Sequence, residues 1–189
     1  MFLEASQISI WIIIAIQTTL IIILIRQLKQ THLKSIGIAP GLSLPNFEVR
    51  SLQKDSNIKL SDIININTTT MLCVVSPGCK FCKEIIPELD RVVEMYPLFK
   101  VNILVVSEVE KAQNMIKDSL SKISSYSISQ DIAVNKMKIT SFPFGMLVDD
   151  RGVILRREIV KKENITNWLI DVPQYAESLS KKRSRVIEY

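Results

Sequence analysis

Two cysteines separated by two residues mark the point where an apolar segment gives way to a helical pattern. Residues 69–75 (TTMLCVV) are apolar and rich in β-branched side chains, which predicts a strand buried on both faces. This run ends at the turn sequence SPG, and residues 80–96 then repeat apolar side chains at helical spacing. Cys79 and Cys82 therefore lie at the junction between a buried strand and a helix.

A thiol at such a junction is chemically activated. The first N–H groups of a helix are unpaired and the helix dipole is positive there, so the pKa of a cysteine at the helix start is lowered. The ammonium group of Lys80 acts in the same direction. Cys82, one helical turn further on, is close enough to attack a disulfide formed at Cys79. The pair predicts two-electron thiol–disulfide exchange, with Cys79 attacking and Cys82 resolving.

Two other interpretations of the cysteines are open. A zinc site needs four ligands, and beyond the pair only Cys73 and His32 are soft candidates, one inside the predicted strand and the other near the N-terminal segment. The pair could also be two unrelated core residues. Cys73 is expected to be an inert buried thiol, because cysteine packs as a small hydrophobe. We expect no metal and no cofactor.

The remainder of residues 46–175 alternates strands and helices. A short alternating segment at 47–50 predicts a short strand. Further strands are expected at 101–106, 126–129, 144–148 and 153–157, and helical segments at about 108–120, 131–137 and 162–170. This order predicts an α/β domain with a mixed central sheet and helices on both faces.

Residues 8–25 contain no charged side chain and would form a helix about 27 Å long, enough to cross a bilayer. A signal peptide carries basic residues before its apolar stretch, whereas this stretch is preceded by Glu4. We therefore expect one uncleaved transmembrane helix at 8–25, with a short flank at 1–7 and a linker at 26–45.

The distribution of charge bears on the partners and on the membrane orientation of the chain. The formal net charge of +5 comes without a basic stripe interleaved with aromatic residues, so nucleic acid is not expected as a partner. Residues 176–189 form a basic tail that is either solvated or in contact with anionic lipid. Arg26, Lys29 and Lys34 follow the apolar stretch and favour a cytoplasmic domain by the positive-inside rule.

The segment from Cys73 to Pro87 resembles a thioredoxin-fold active site: a central strand, the C-x-x-C pair, and a proline five residues after the second cysteine. Residues 140–143 (TSFP), followed by a strand, are similar to the loop where that fold carries a cis-proline beside the redox pair. The resemblance implies a cis bond before Pro143. It also implies that Phe142 and Pro143 line a groove for an extended peptide substrate.

A narrower resemblance concerns residues 76–83 and the lead-in at 37–49. Together with the expected N-terminal anchor, they are similar to membrane-anchored methylamine-utilisation accessory proteins (MauD type) and to anchored, TlpA-like cytochrome-maturation thioredoxins. Those families imply an extracytoplasmic domain, a protein or peptide substrate with cysteines, and a membrane redox partner. Three positions depart from the families' patterns: Gly78 replaces a tryptophan, and Cys73 and Ile85 replace acidic residues.

The leading hypothesis is a membrane-tethered thiol–disulfide oxidoreductase on the extracytoplasmic side of the cell membrane, where disulfides persist. A second is a peroxiredoxin-like peroxidase, for which Ser76 fits the family pattern and Leu72 does not. A third is a non-enzymatic assembly factor that uses the fold to bind a partner. Either direction of exchange is compatible with the residues between the cysteines.

Overall fold

The computed structural model describes residues 2–64, 68–118 and 121–172, with the backbone alone for residues 2–10, 28–35 and 170–171. The chain divides after Ile36 into two compact units. The basic tail expected at residues 176–189 lies outside the described residues.

The first unit contains one long helix, α1, from Phe2 to Ser35. It begins before the apolar stretch at 8–25 and continues beyond it, so the first ten residues of the expected linker are helical. The reason is that residues 26–35 contain no glycine or proline, and the first helix breaker is Gly37 at a φ of +76°. Within the part of the chain that the structure describes, no helix is both long and apolar enough to span a membrane.

The second unit is built on a seven-stranded sheet with the strand order β2-β1-β5-β4-β3-β6-β7. Its strands are β1 (Glu48–Ser51), β2 (Asn57–Lys59), β3 (Thr70–Val75), β4 (Lys100–Val106), β5 (Ser125–Ile128), β6 (Phe144–Val148) and β7 (Ile154–Ile159). Its helical segments are α2 (Leu60–Ile63), α3 (Lys80–Met95), α4 (Val109–Asp118), a π-helical turn (Ile132–Lys136) and a 3-10 helix (Lys162–Asp171).

Strand β3 is buried at every position and lies between β4, to which it is parallel, and β6, to which it is antiparallel. The expected mixed sheet is therefore confirmed. On β4, Ile103 belongs to the apolar cluster shared with α3, α4 and the 3-10 helix. The side chain of its neighbour Asn102 points to the opposite face of the sheet, because side chains alternate along a strand. There the Nδ2 of Asn102 donates a hydrogen bond of 3.1 Å to the carbonyl of Ile63 in α2. Helical segments thus cover both faces.

The end of the expected linker is part of the second unit. The N–H of Gly41 donates to the carbonyl of Ile154 at 2.8 Å, and the N–H of Ile154 donates to the carbonyl of Leu42 at 3.0 Å. These backbone bonds attach residues 41–44 to the start of β7, because the outer edge of that strand offers unpaired donors and acceptors.

Two short elements, β2 and α2, were not predicted from the sequence. A strand of three residues and a helix of four are too short to show a hydrophobic period, although Leu60 and Ile63 of α2 are buried.

Candidate active site

Cys79 and Cys82 are joined by a disulfide at the start of α3, with their Cα atoms 5.3 Å apart. Cys79 is the residue that caps α3, in an extended conformation (φ −93°, ψ 114°). Its Sγ accepts a hydrogen bond of 3.2 Å from the backbone N–H of Cys82. The strand-to-helix junction thus supplies an N–H donor directly to the sulfur that is expected to attack.

The two sulfur-bearing residues differ in exposure. Cys82 has an exposed fraction of 0% and belongs to the apolar cluster between the sheet and α3. Cys79 is half-buried and packs against that cluster. The residues between them, Lys80 and Phe81, are exposed. The first turn of the helix therefore turns the second cysteine inward and leaves the first one reachable.

The loop before β6 meets the redox pair. The peptide bond between Phe142 and Pro143 is cis, as the resemblance implied. The carbonyl oxygen of Phe142 lies 3.6 Å from the Sγ of Cys79, although the two residues are 63 positions apart. The carbonyl of Pro143 accepts a hydrogen bond of 3.0 Å from the N–H of Val160, which ties this loop to the residue that follows β7.

A groove of about 570 Å³ opens beside this loop. Phe142 and Pro143 line it, together with the first turns of α3 and the connection from β7 to the 3-10 helix. Lys80, which the sequence also placed at the site, does not line it. The lining residues that the sequence did not indicate are Phe81, Glu84, Ile85, Ile159, Val160, Lys161, Lys162 and Glu163. One signal was present in the sequence: the helical period of α3 turns Phe81 away from the core, which leaves an aromatic side chain in solvent next to the cysteines.

An ion pair links the two walls of the groove. The Nζ of Lys162, in the 3-10 helix, lies 2.7 Å from Oε1 of Glu88 in α3, and Arg91 also contacts Glu88 at 3.3 Å. The hydrogen bond from Lys162 lowers the pKa of Glu88 below its usual value, and the charges of Arg91 and Lys162 add to the effect. Glu88 is thus ionised and paired near neutral pH.

Cys73 lies on β3 with an exposed fraction of 0%, and its burial raises the pKa of its thiol to about 12. Ile85, the second position where the resembling families carry an acid, is also buried. Neither position supplies a carboxylate to the redox pair. Among the described residues, no group of three or more His, Cys, Asp or Glu side chains is placed to hold a metal ion.

No protein-family model matches the sequence, and no curated protein is significantly similar to it. Three solved structures illustrate the likeness in fold. The thioredoxin domain of a thiol-disulfide oxidoreductase from Bacteroides vulgatus has a TM-score of 0.60 and 19% identity, covering 69% of this chain and 94% of that chain.

A thiol:disulfide interchange protein from Bacteroides sp. has a TM-score of 0.59 and 18% identity, covering 69% of this chain and 88% of that chain. A secreted Mycobacterium tuberculosis disulfide oxidoreductase has a TM-score of 0.54 and 12% identity, covering 64% of this chain and 92% of that chain. The chain therefore has a thioredoxin-like fold, which confirms the fold expected from the C-x-x-C segment and the proline loop.

Proposed function

We propose that this protein is a thiol–disulfide oxidoreductase that exchanges disulfides with cysteine-containing proteins or peptides. One observation carries the proposal: a half-buried sulfur at a helix start, bonded to a fully buried one, lies beside the carbonyl of a cis-proline loop. The solved structures of similar fold, described as thiol-disulfide oxidoreductases and interchange proteins, support it.

In the reducing direction, the thiolate of Cys79 attacks one sulfur of a substrate disulfide. A bond forms between that sulfur and Cys79, and the other substrate sulfur leaves as a thiolate. The thiolate of Cys82 then attacks the Sγ of Cys79, which closes the Cys79–Cys82 disulfide and releases the second substrate thiolate. The substrate gains two electrons and the protein loses two, and the oxidising direction is the same sequence in reverse.

The N–H of Cys82 favours exchange in both directions. It donates to the Sγ of Cys79, so it stabilises negative charge on this atom when Cys79 is the attacking thiolate. In the oxidising direction it stabilises the same atom when Cys79 leaves the mixed disulfide as a thiolate. The carbonyl of Phe142, by contrast, places partial negative charge near the sulfur and is suited to accept the proton of the neutral thiol.

The test is reduction of a protein disulfide, with insulin as the substrate and dithiothreitol as the electron source. We expect the full chain to accelerate insulin reduction and the Cys79→Ser variant to lose this acceleration entirely. Cys73→Ala is the matched control, since it removes a cysteine outside the pair, and it should retain activity. Equal rates with the wild type and Cys79→Ser would refute the enzymatic function and favour an assembly factor.

We further propose that the protein is tethered to the cell membrane and acts outside the cytoplasm on exported proteins, with a membrane protein as redox partner. The uncharged sequence of residues 8–25 and the narrower family resemblance support the tether. The persistence of disulfides outside the cytoplasm supports the location, against the positive-inside indication of Arg26, Lys29 and Lys34.

The location is tested by labelling Cys79 in intact cells with a membrane-impermeant thiol reagent, after reduction with an impermeant phosphine. We expect labelling without lysis. If Cys79 is labelled only after lysis, while a known surface thiol reacts in intact cells, the domain is cytoplasmic. Carbonate extraction of the membranes tests the tether separately, since a protein without a membrane anchor would be released.

A further inference from the structure

The groove beside the redox pair is apolar along most of its surface. Its apolar lining is provided by Phe81, Ile85, Phe142, Pro143, Ile159 and Val160. Phe81 contributes most to the open side, because its exposed fraction is 67%. An aromatic ring held in solvent next to a reactive cysteine has a cost in free energy that contact with an apolar partner would remove.

The charged residues around the groove balance each other. Lys161 and Lys162 carry positive charge, and Glu84 and Glu163 carry negative charge. Lys162 also pairs with Glu88, whose second partner is Arg91, so this cluster keeps the balance of charge. With no excess of either sign, the groove does not select a charged side chain, and an uncharged apolar one is the best match.

The position of Cys79 determines which part of a substrate enters the groove. In the mixed disulfide the substrate cysteine is bonded to the Sγ of Cys79, which lies 3.6 Å from the Phe142 carbonyl. Phe142 itself lines the groove, so the residue next to the substrate cysteine is the one that reaches it. A volume of about 570 Å³ is ample for one large side chain.

We infer that the protein selects substrates in which a large apolar residue adjoins the reacting cysteine, and that Phe81 is the main specificity-determining residue. This inference rests on the proposed function. Phe81 lies between the two cysteines in sequence and is the most exposed apolar residue of the groove, so it is placed to contact the side chain next to a cysteine bonded to Cys79.

The experiment uses hexapeptides Ser-Gly-X-Cys-Gly-Ser and Ser-Gly-Cys-X-Gly-Ser, where X is Leu, Phe, Gly, Asp or Lys. The cysteine carries thionitrobenzoate in a mixed disulfide. The reduced full chain attacks the peptide sulfur through Cys79, and thionitrobenzoate leaves as a coloured thiolate. Cys82 then attacks Cys79 and releases the peptide thiol. The initial rate of colour release is the readout.

In at least one of the two series, the Leu and Phe peptides are expected to react about tenfold faster than the Gly peptide. The Asp and Lys peptides should both be no faster than Gly. Phe81→Ser should reduce the Leu-to-Gly rate ratio to within about twofold of unity, the residual ratio expected from the remaining apolar wall. Because this ratio is taken within one variant, any change in the reactivity of Cys79 cancels.

Leu155→Ser is the matched control. Leu155 is an exposed apolar residue on β7 (exposed fraction 43%) that does not line the groove, so its replacement should leave the ratio unchanged. Equal rates for all peptides, a preference for Asp or Lys, or an unchanged ratio in Phe81→Ser would overturn the inference while leaving the oxidoreductase function intact. A wild-type rate no higher than that of Cys79→Ser with every peptide would refute both the inferred specificity and the proposed oxidoreductase function.

Discussion

Cys73 on β3 lies directly opposite Gly145 on β6, and the sheet is closely packed behind this pair. A Cβ atom on Gly145 would lie 2.6 Å from Cγ2 of Val160 and 2.8 Å from the ring of Trp168. Trp168 belongs to the 3-10 helix and is completely buried. The strand that follows the cis-proline loop is therefore in direct contact with the element that forms the far wall of the groove.

We predict that Gly145→Ala destabilises the protein by about 1–3 kcal/mol, because the added methyl group must displace Val160 and Trp168 from a filled core. Urea unfolding followed by tryptophan fluorescence measures the loss. Gly78→Ala is the control: a Cβ at Gly78 meets no atom within 4 Å, so its unfolding free energy should stay close to that of the wild type. Equal midpoints for the two variants would contradict the packing described here.

The buried thiol of Cys73 predicts a loss of stability in alkaline solution. Burial raises its pKa from 9.0 to about 12, so the folded state keeps a proton that the unfolded chain releases above pH 9. This contribution to stability is complete below pH 9 and is lost as the pH rises toward 12. Between pH 8 and 10.5 the free energy of unfolding should fall by about 2 kcal/mol more in the wild type than in Cys73→Ala.

This comparison is made with the Cys79–Cys82 disulfide intact, so that those cysteines do not titrate. Burial also raises the pKa of Tyr126, but that effect is present in both proteins and cancels in the difference. If the free energy of unfolding falls equally with pH in the two proteins, the Cys73 thiol is not buried in solution.

Alkylation of the reduced protein should distinguish the three cysteines. We predict that iodoacetamide at neutral pH modifies Cys79 first, because this residue is partly exposed and lies at the helix start. Cys82 should react much more slowly, because it has no exposed surface. Cys73 should react only in denaturant. Peptide mass spectrometry gives the order, and faster labelling of Cys82 would reverse the assigned roles.

Removal of the buried sulfur of the pair should trap substrates. In Cys82→Ser the mixed disulfide on Cys79 has no resolving thiol, so covalent complexes should accumulate in cells and disappear on reduction. Cys79→Ser should accumulate few or none, since its remaining sulfur is inaccessible. Equal amounts of complex in both variants would show that Cys79 is not the point of attachment.

Much of the fold could be predicted because its central elements have strong local signals. The apolar run at β3 and the helical period of α3 locate Cys79 and Cys82 within one residue of their observed positions relative to those elements. The cis-proline loop was located by resemblance of a short motif. These signals depend on residues that are neighbours in sequence.

The groove could not be predicted in this way. Ile159 and Lys162 face Phe81 across it, although about 80 residues separate them in the chain. Their proximity depends on the packing of the 3-10 helix against α3 and on the ion pair between Lys162 and Glu88. Neither interaction leaves a periodic pattern in the sequence, and surface ion pairs are a weak guide to structure.

The complete burial of Cys82 has a consequence for how partners are chosen and how long they are held. In the proposed exchange, a partner protein contacts only the sulfur of Cys79, whereas the attack that releases the partner comes from the sulfur of Cys82, which has no exposed surface. Choice of partner and duration of attachment are thus governed by separate parts of the molecule. Substitutions on the groove surface can therefore alter which partners bind without changing the rate at which Cys82 resolves the mixed disulfide.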